Sequence, residues 1–78
     1  MTADSRKIET SARRIHDAHG ARGAVLIAER IGAVSAAEDR TQFDTWMAIA
    51  TQFVRLQGDA QAQRETARHL RRLLDTIL

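Results

Sequence analysis

Apolar residues recur at intervals of three and four along most of this chain, the spacing that lines one face of an α-helix. Over residues 4–19 they are Ile8, Ala12 and Ile15, with His19 completing the row and Arg6, Arg13 and Asp17 opposite. Gly20 follows directly and predicts a stop, because glycine accepts the left-handed backbone that ends many helices. With only two large apolar side chains on its face, this first helix is expected to dock weakly. A second segment, residues 23–34, opens on Ala24, Val25, Leu26, Ile27 and Ala28. Alone, such a run also suits a buried strand, but no second run exists to pair its backbone. The helical spacing also continues through Ile31 and Val34. We read a short helix, apolar around most of its girth. Either it is the most buried element or it turns Val25 and Leu26 toward a partner chain.

The third segment is the longest. Ser35, Ala36, Ala37 and Glu38 match a capping box, in which serine and glutamate satisfy each other's free backbone amides. The spacing therefore predicts a helix over residues 36–57, ending before Gly58. Phe43, Trp46, Met47, Ile49, Ala50, Phe53, Val54 and Leu56 cover nearly half of its circumference, with Asp44, Ala48, Thr51 and Arg55 on the other side. An arc that wide can touch more than one neighbour, as a central helix must. Asp59 is a good N-cap for a fourth helix over residues 60–78. Leu70, Leu73, Leu74 and Ile77 form its apolar face, and Arg64, Arg68, Arg71 and Arg72 form a basic one. The short connection predicts that the third and fourth helices pack as an antiparallel hairpin.

The expected fold is all-α: one compact four-helix domain over residues 1–78, with a long central helix and an antiparallel C-terminal helix. Its expected core is Ile31, Phe43, Trp46, Ile49, Phe53, Leu70, Leu73 and Leu74. Trp46, the single tryptophan, sits mid-arc and is placed at the centre.

Composition narrows the classes of function. A chain of 78 residues is one domain, and at this size folding buries only about 60% of the unfolded surface. The absence of cysteine excludes a disulfide framework and any thiolate metal site. No run approaches the roughly 20 apolar residues needed to span a bilayer. The first residues lack the apolar stretch of a signal peptide, so the expected location is the cytoplasm. Formal net charge is +2 although the pI is about 10.4, because eleven of the twelve basic residues are arginine and no tyrosine or cysteine titrates in the alkaline range. Distribution matters more than pI. Residues 1–34 carry six basic and four acidic groups, residues 35–59 two and four, and residues 60–78 four and two.

Candidate chemistry is sparse. His16 and His19 have the i, i+3 spacing of a metal pair, with His69 as a distant third ligand, but no second-shell pattern supports them. The plainer reading makes His19 the last core-facing residue of its helix and His16 a flank residue. Ser5, Ser11 and Ser35 lack the context of an activated nucleophile. Gly20 and Gly23 do not form a phosphate loop. No enzyme and no cofactor is expected.

The sharpest motif is Ile27, Ala28, Glu29, Arg30, Ile31 and Gly32, which looks like the first half of a helix-turn-helix. Its second half would need apolar anchors where Glu38 and Thr41 stand. The surplus of acid over residues 35–59 also suits phosphate-lined grooves poorly. The arginine stripe of the last helix is read either as a grip on nucleic acid or an acidic protein, or as a solvated face. In the second case Arg68 would pair with Glu65, and Arg71 or Arg72 with Asp75.

Residues 27–56 resemble a family of small, uncharacterised helical proteins of alphaproteobacteria. The likeness rests on the Ile27 to Ala33 motif, the acidic Glu38 and Asp39, and the run Trp46, Met47, Ala48, Ile49, Ala50. It implies a bacterial helical fold and no activity. One departure concerns the turn: the family tends to place glycine before the acid where this chain has Ala37, which favours an uninterrupted capped helix here. The residues together lead us to expect a protein-interaction module, a homodimer or a regulator of a larger partner such as a phage-type inhibitor. Val25, Leu26, Arg64, Arg68, Arg71 and Arg72 are its expected contact residues, with nucleic-acid binding through the arginine stripe or a degenerate helix-turn-helix as the alternative.

Overall fold

Helical structure runs almost unbroken along the chain. The computed structural model describes residues 5–78, so the expected start at Asp4 lies outside the described residues. Helix α1 spans Ser5–His19, α2 Gly23–Ala36, α3 Arg40–Arg55 and α4 Ala60–Ile77. No strand occurs among the described residues, and the fold is all-α. A 3-10 turn, Gly20–Arg22, joins α1 to α2 without any non-helical residue between them. The helical residues thus fall into three continuous stretches rather than the four separate rods that the apolar spacing predicts. Gly20 makes the bend at φ +56°, a left-handed conformation that costs glycine little.

The capping box is a misreading that the structure corrects. Ser35 and Ala36 belong to the end of α2, and α3 starts four residues later than residue 36. The amide of Glu38 donates to the Ser35 carbonyl at 3.0 Å, and the amide of Asp39 donates to the Val34 carbonyl at 3.0 Å. This nested pair is a Schellman motif, which closes α2. Its left-handed position is taken by Glu38, at φ +58°. Asp39 then caps α3, its Oδ1 accepting the Gln42 amide at 3.1 Å. The serine and glutamate spaced as a helix start therefore mark a helix end. Asp59 does cap α4 as its type and position predict, accepting the Ala62 amide at 2.8 Å.

Packing follows a simple order. α1 lies on α3, α3 on α2, and α2 on α4, while α3 and α4 touch each other much less. The third helix is thus one of two central elements, and the last helix leans on α2 rather than forming a close hairpin with α3. Two glycines of α2 explain this. At Gly23 an added β-carbon would lie 2.6 Å from the Phe53 ring of α3 and 2.7 Å from Ile15 Cγ2 of α1. At Gly32 it would run into Ile77 of α4. Each glycine lets a neighbour press against backbone. Gly32 is also helical, so the turn required by the helix-turn-helix reading is absent there.

The core is small. Phe53, Ile27 and Ile31 are its largest fully buried side chains, joined by Ala12, Ile15, Ala24, Ile49, Ala50 and Leu70. Of the residues expected at the centre, Phe43, Trp46, Leu73 and Leu74 are only partly buried and pack against that cluster. Trp46 is therefore a wall of the core and Phe53 its middle. α1 contributes Ile15 and the wholly buried Ala12 to this cluster.

Candidate functional site

α3 carries two apolar stripes side by side. Trp46, Ile49, Phe53 and Leu56 form one, at i, i+3, i+7 and i+10, and contain the buried Ile49 and Phe53. Phe43, Met47, Ala50 and Val54 form the other, at i, i+4, i+7 and i+11. On a helix turning about 100° per residue, the second stripe is rotated by roughly a quarter-turn from the first. Met47, Ala50 and Val54 of that stripe border the gap that α4 leaves when it leans on α2. Ala50 is itself buried and Val54 packs against the core, so Met47 is the exposed member.

That gap is a shallow, open groove of about 300 Å³. Met47, Ala50, Thr51 and Val54 line it from α3, and Ala67, Leu70, Arg71, Leu74 and Asp75 line it from α4. Most of its surface is apolar. Met47 is 38% exposed, and Ile77 and Leu78 at the end of α4 are 43% and 62% exposed. Thr51 spends its hydroxyl on the Met47 carbonyl at 3.1 Å, so the α3 wall offers few free polar groups. Arg71 and Asp75 stand one helical turn apart on the α4 wall. Arg13 pairs with Glu9 and Arg40 with Asp44, whereas neither Arg71 nor Asp75 takes part in a salt bridge among the described residues. In this order, basic before acidic, an i, i+4 pair is the weaker orientation on a helix.

The expected contact residues are spread out. Val25 is 39% exposed, whereas Leu26 is partly buried and packs against the core. Neither lines the groove. Arg64, Arg68, Arg71 and Arg72 are all exposed, and the expected local pairs with Glu65 and Asp75 do not form. Glu65 instead accepts the Gln61 side-chain amide at 3.3 Å. Arg71 alone of the stripe belongs to the groove. Met47 and Val54 were visible in the wide arc of α3, and an arc wider than one neighbour can cover was the signal that a second surface exists.

The histidines exchange their expected places. His19 is exposed, because the backbone leaves α-helical dihedrals there, at φ −123° and ψ −13°. His16 is half-buried and meets the Phe53 ring edge-on, with centroids 6.0 Å apart. The Gln57 side-chain nitrogen lies 3.4 Å from its Nδ1 and also donates to the Phe53 carbonyl at 2.9 Å. His16 thus ties α1 to the end of α3. His69 is exposed on α4, and among the described residues no three His, Asp or Glu side chains gather as a metal site would require.

Two further hollows lie on the described surface. One, at the α2–α3 turn, is lined by Val34, Ser35, Glu38, Asp39, Arg40 and Phe43. Asp39 is engaged there as a cap and Arg40 with Asp44 at 3.6 Å. The other is a basic depression on α1 beside Lys7, Thr10, Ser11 and Arg14. Compared with models of known protein families, with curated proteins and with solved structures, the chain gives no match.

Proposed function

We propose that this protein is a non-enzymatic interaction module that engages another protein through the groove between α3 and α4. The observation that carries this reading is the apolar groove itself, with Met47 exposed on its α3 wall. Burial of apolar surface is the main favourable term in association, and Met47 at 38% exposed stands in a groove flanked by a ready pair of charges. Apolar centres with polar rims are the usual anatomy of such interfaces. The groove is too open to exclude water from a reacting group, which separates it from the enclosed pockets that small-molecule chemistry favours. In this reading the four helices act as one unit in the cytoplasm, as a self-associating protein or a small inhibitor or regulator of a larger one. Among the described residues, no helix is long and apolar enough to cross a membrane.

A second reading, nucleic-acid binding through Arg64, Arg68, Arg71 and Arg72, draws on their exposure and their lack of carboxylate partners among the described residues. The acidic Asp75 beside Arg71 and the apolar groove next to it favour a protein surface instead.

Site-specific photo-crosslinking in the cells that make the protein tests the first reading. A benzophenone amino acid in place of Met47 is expected to yield an adduct of defined mass, and the same group in place of the exposed Gln61 is expected to yield none. Absence of an adduct at position 47, or equal labelling from both positions, overturns the reading.

A further inference from the structure

We infer that the occupant of the α3–α4 groove is a second copy of this chain, docked about a two-fold axis so that Arg71 of each copy faces Asp75 of the other. The inference rests on the interaction reading above and names its partner. Three observations converge on it.

The first is charge complementarity. A two-fold interface sets residue i of one copy against residue j of the other, and j against i. Antiparallel approach of two α4 helices therefore turns an i, i+4 pair of opposite charges into two intermolecular pairs at once. Arg71 and Asp75 are such a pair, both exposed, both on the groove wall. Neither has an ion-pair partner within the described residues. A groove rimmed by one sign of charge would suit a partner of the opposite sign. A rim carrying one of each suits itself.

The second is the continuity of apolar surface. Met47 and Leu74 line the groove, and Leu78, one helical turn beyond Leu74, is exposed at the end of α4, while Ile77 lies against Gly32 of α2. A two-fold contact would bring each copy's α4 end over the other's groove, covering both patches with like surface.

The third is the thinness of the core. The chain has no cysteine, and only Phe53, Ile27 and Ile31 are large and fully buried among the described residues. Domains of this size commonly gain stability from a disulfide, a metal or assembly. The chain has no means of forming the first, and the open groove offers the third.

Sedimentation equilibrium across a concentration series, with four proteins, tests the pairing. The parent chain is expected to form a dimer reversibly. Arg71→Asp places two acidic pairs across the axis, and Asp75→Arg places two basic pairs. Each is expected to weaken self-association by about tenfold or more, since attraction becomes repulsion at two places. The double exchange, Arg71→Asp with Asp75→Arg, restores both pairs and is expected to dimerise again. An equimolar mixture of the two single variants is expected to form a heterodimer that neither forms alone. Unaltered circular dichroism of every variant, expected because both positions are exposed, separates these effects from misfolding. A parent chain that is monomeric at all concentrations overturns the inference, as do single variants that dimerise like the parent. A crosslink from position 47 to a protein other than this chain, with the parent monomeric, also overturns it while leaving the interaction reading standing. No crosslink at all removes both.

Discussion

Phe53→Ala is expected to lower the stability of this domain by about 3–5 kcal/mol, the cost of removing a fully buried phenylalanine and leaving a cavity. The ring is wholly buried and lies where α1, α2 and α3 meet. His16 approaches its edge from α1, and the backbone of Gly23 approaches from α2. No single side chain can collapse into the space from all three directions, so the loss falls high in the range. Domains of this size hold roughly 4–12 kcal/mol in total at 0.05–0.15 kcal/mol per residue. The variant is therefore expected to lose a large share of its stability, measured as the fall in urea midpoint followed by circular dichroism. Trp46→Ala removes a larger side chain and is expected to cost less, because Trp46 is only partly buried. Equal losses, or a larger one at Trp46, would return the tryptophan to the centre of the core.

Gly23→Val is expected to cost about 3 kcal/mol, the upper end of the overpacking range. The α2 backbone at this point is conventional, with φ −56°, so strain is not the reason for glycine. The reason is space. A β-carbon would sit 2.6 Å from Phe53 Cε1 and 2.7 Å from Ile15 Cγ2, and both neighbours are themselves held in the buried cluster. Valine gains a few tenths of a kcal/mol over glycine in helix propensity, and the clash exceeds that several-fold. Gly58 is the control. Nothing lies within 4 Å of a β-carbon added there, and Gly58→Ala is expected to leave the midpoint within about 0.5 kcal/mol of the parent. A tolerated valine at position 23 would mean that α1 and α3 can move apart without loss.

These two sites show how unevenly the fold is written in the chain. Helix type and position follow from apolar spacing, because a stripe at intervals of three and four has few ways to be buried other than as a helix face. Asp59 was legible for a local reason, since an N-cap acts within its own turn. The boundary between α2 and α3 was not. Serine followed three residues later by glutamate fits a helix start, and the chain instead places glutamate in the left-handed position that usually announces itself as glycine. The signal was present one residue on, in Asp39, the better cap.

Packing order was harder still. Whether α4 leans on α2 or on α3 depends on how closely backbones approach at Gly23 and Gly32, and that distance is a property of the assembled core. The groove follows from the packing order. From the chain alone the breadth of the α3 arc was visible, and the exposure of Met47 within it was not, since that depends on where α4 comes to rest. The roles of His16 and His19 were exchanged for a similar reason: His16 lies on the Ile8 and Ala12 face by its i+4 and i+8 spacing, and only the 3-10 turn after α1 takes His19 off it.

The central claim is that α3 buries Phe53 in the core and presents Met47 to a second copy of the chain. Thermal unfolding of the parent chain and of Met47→Glu over a hundredfold range of concentration tests both halves at once. Anything that binds only the folded state raises its midpoint with concentration. The account predicts a midpoint that climbs with concentration for the parent. For Met47→Glu it predicts a midpoint that does not vary and that equals the parent's at the dilute limit. A parent midpoint independent of concentration, or a Met47→Glu protein already several degrees less stable at the dilute limit, would contradict it.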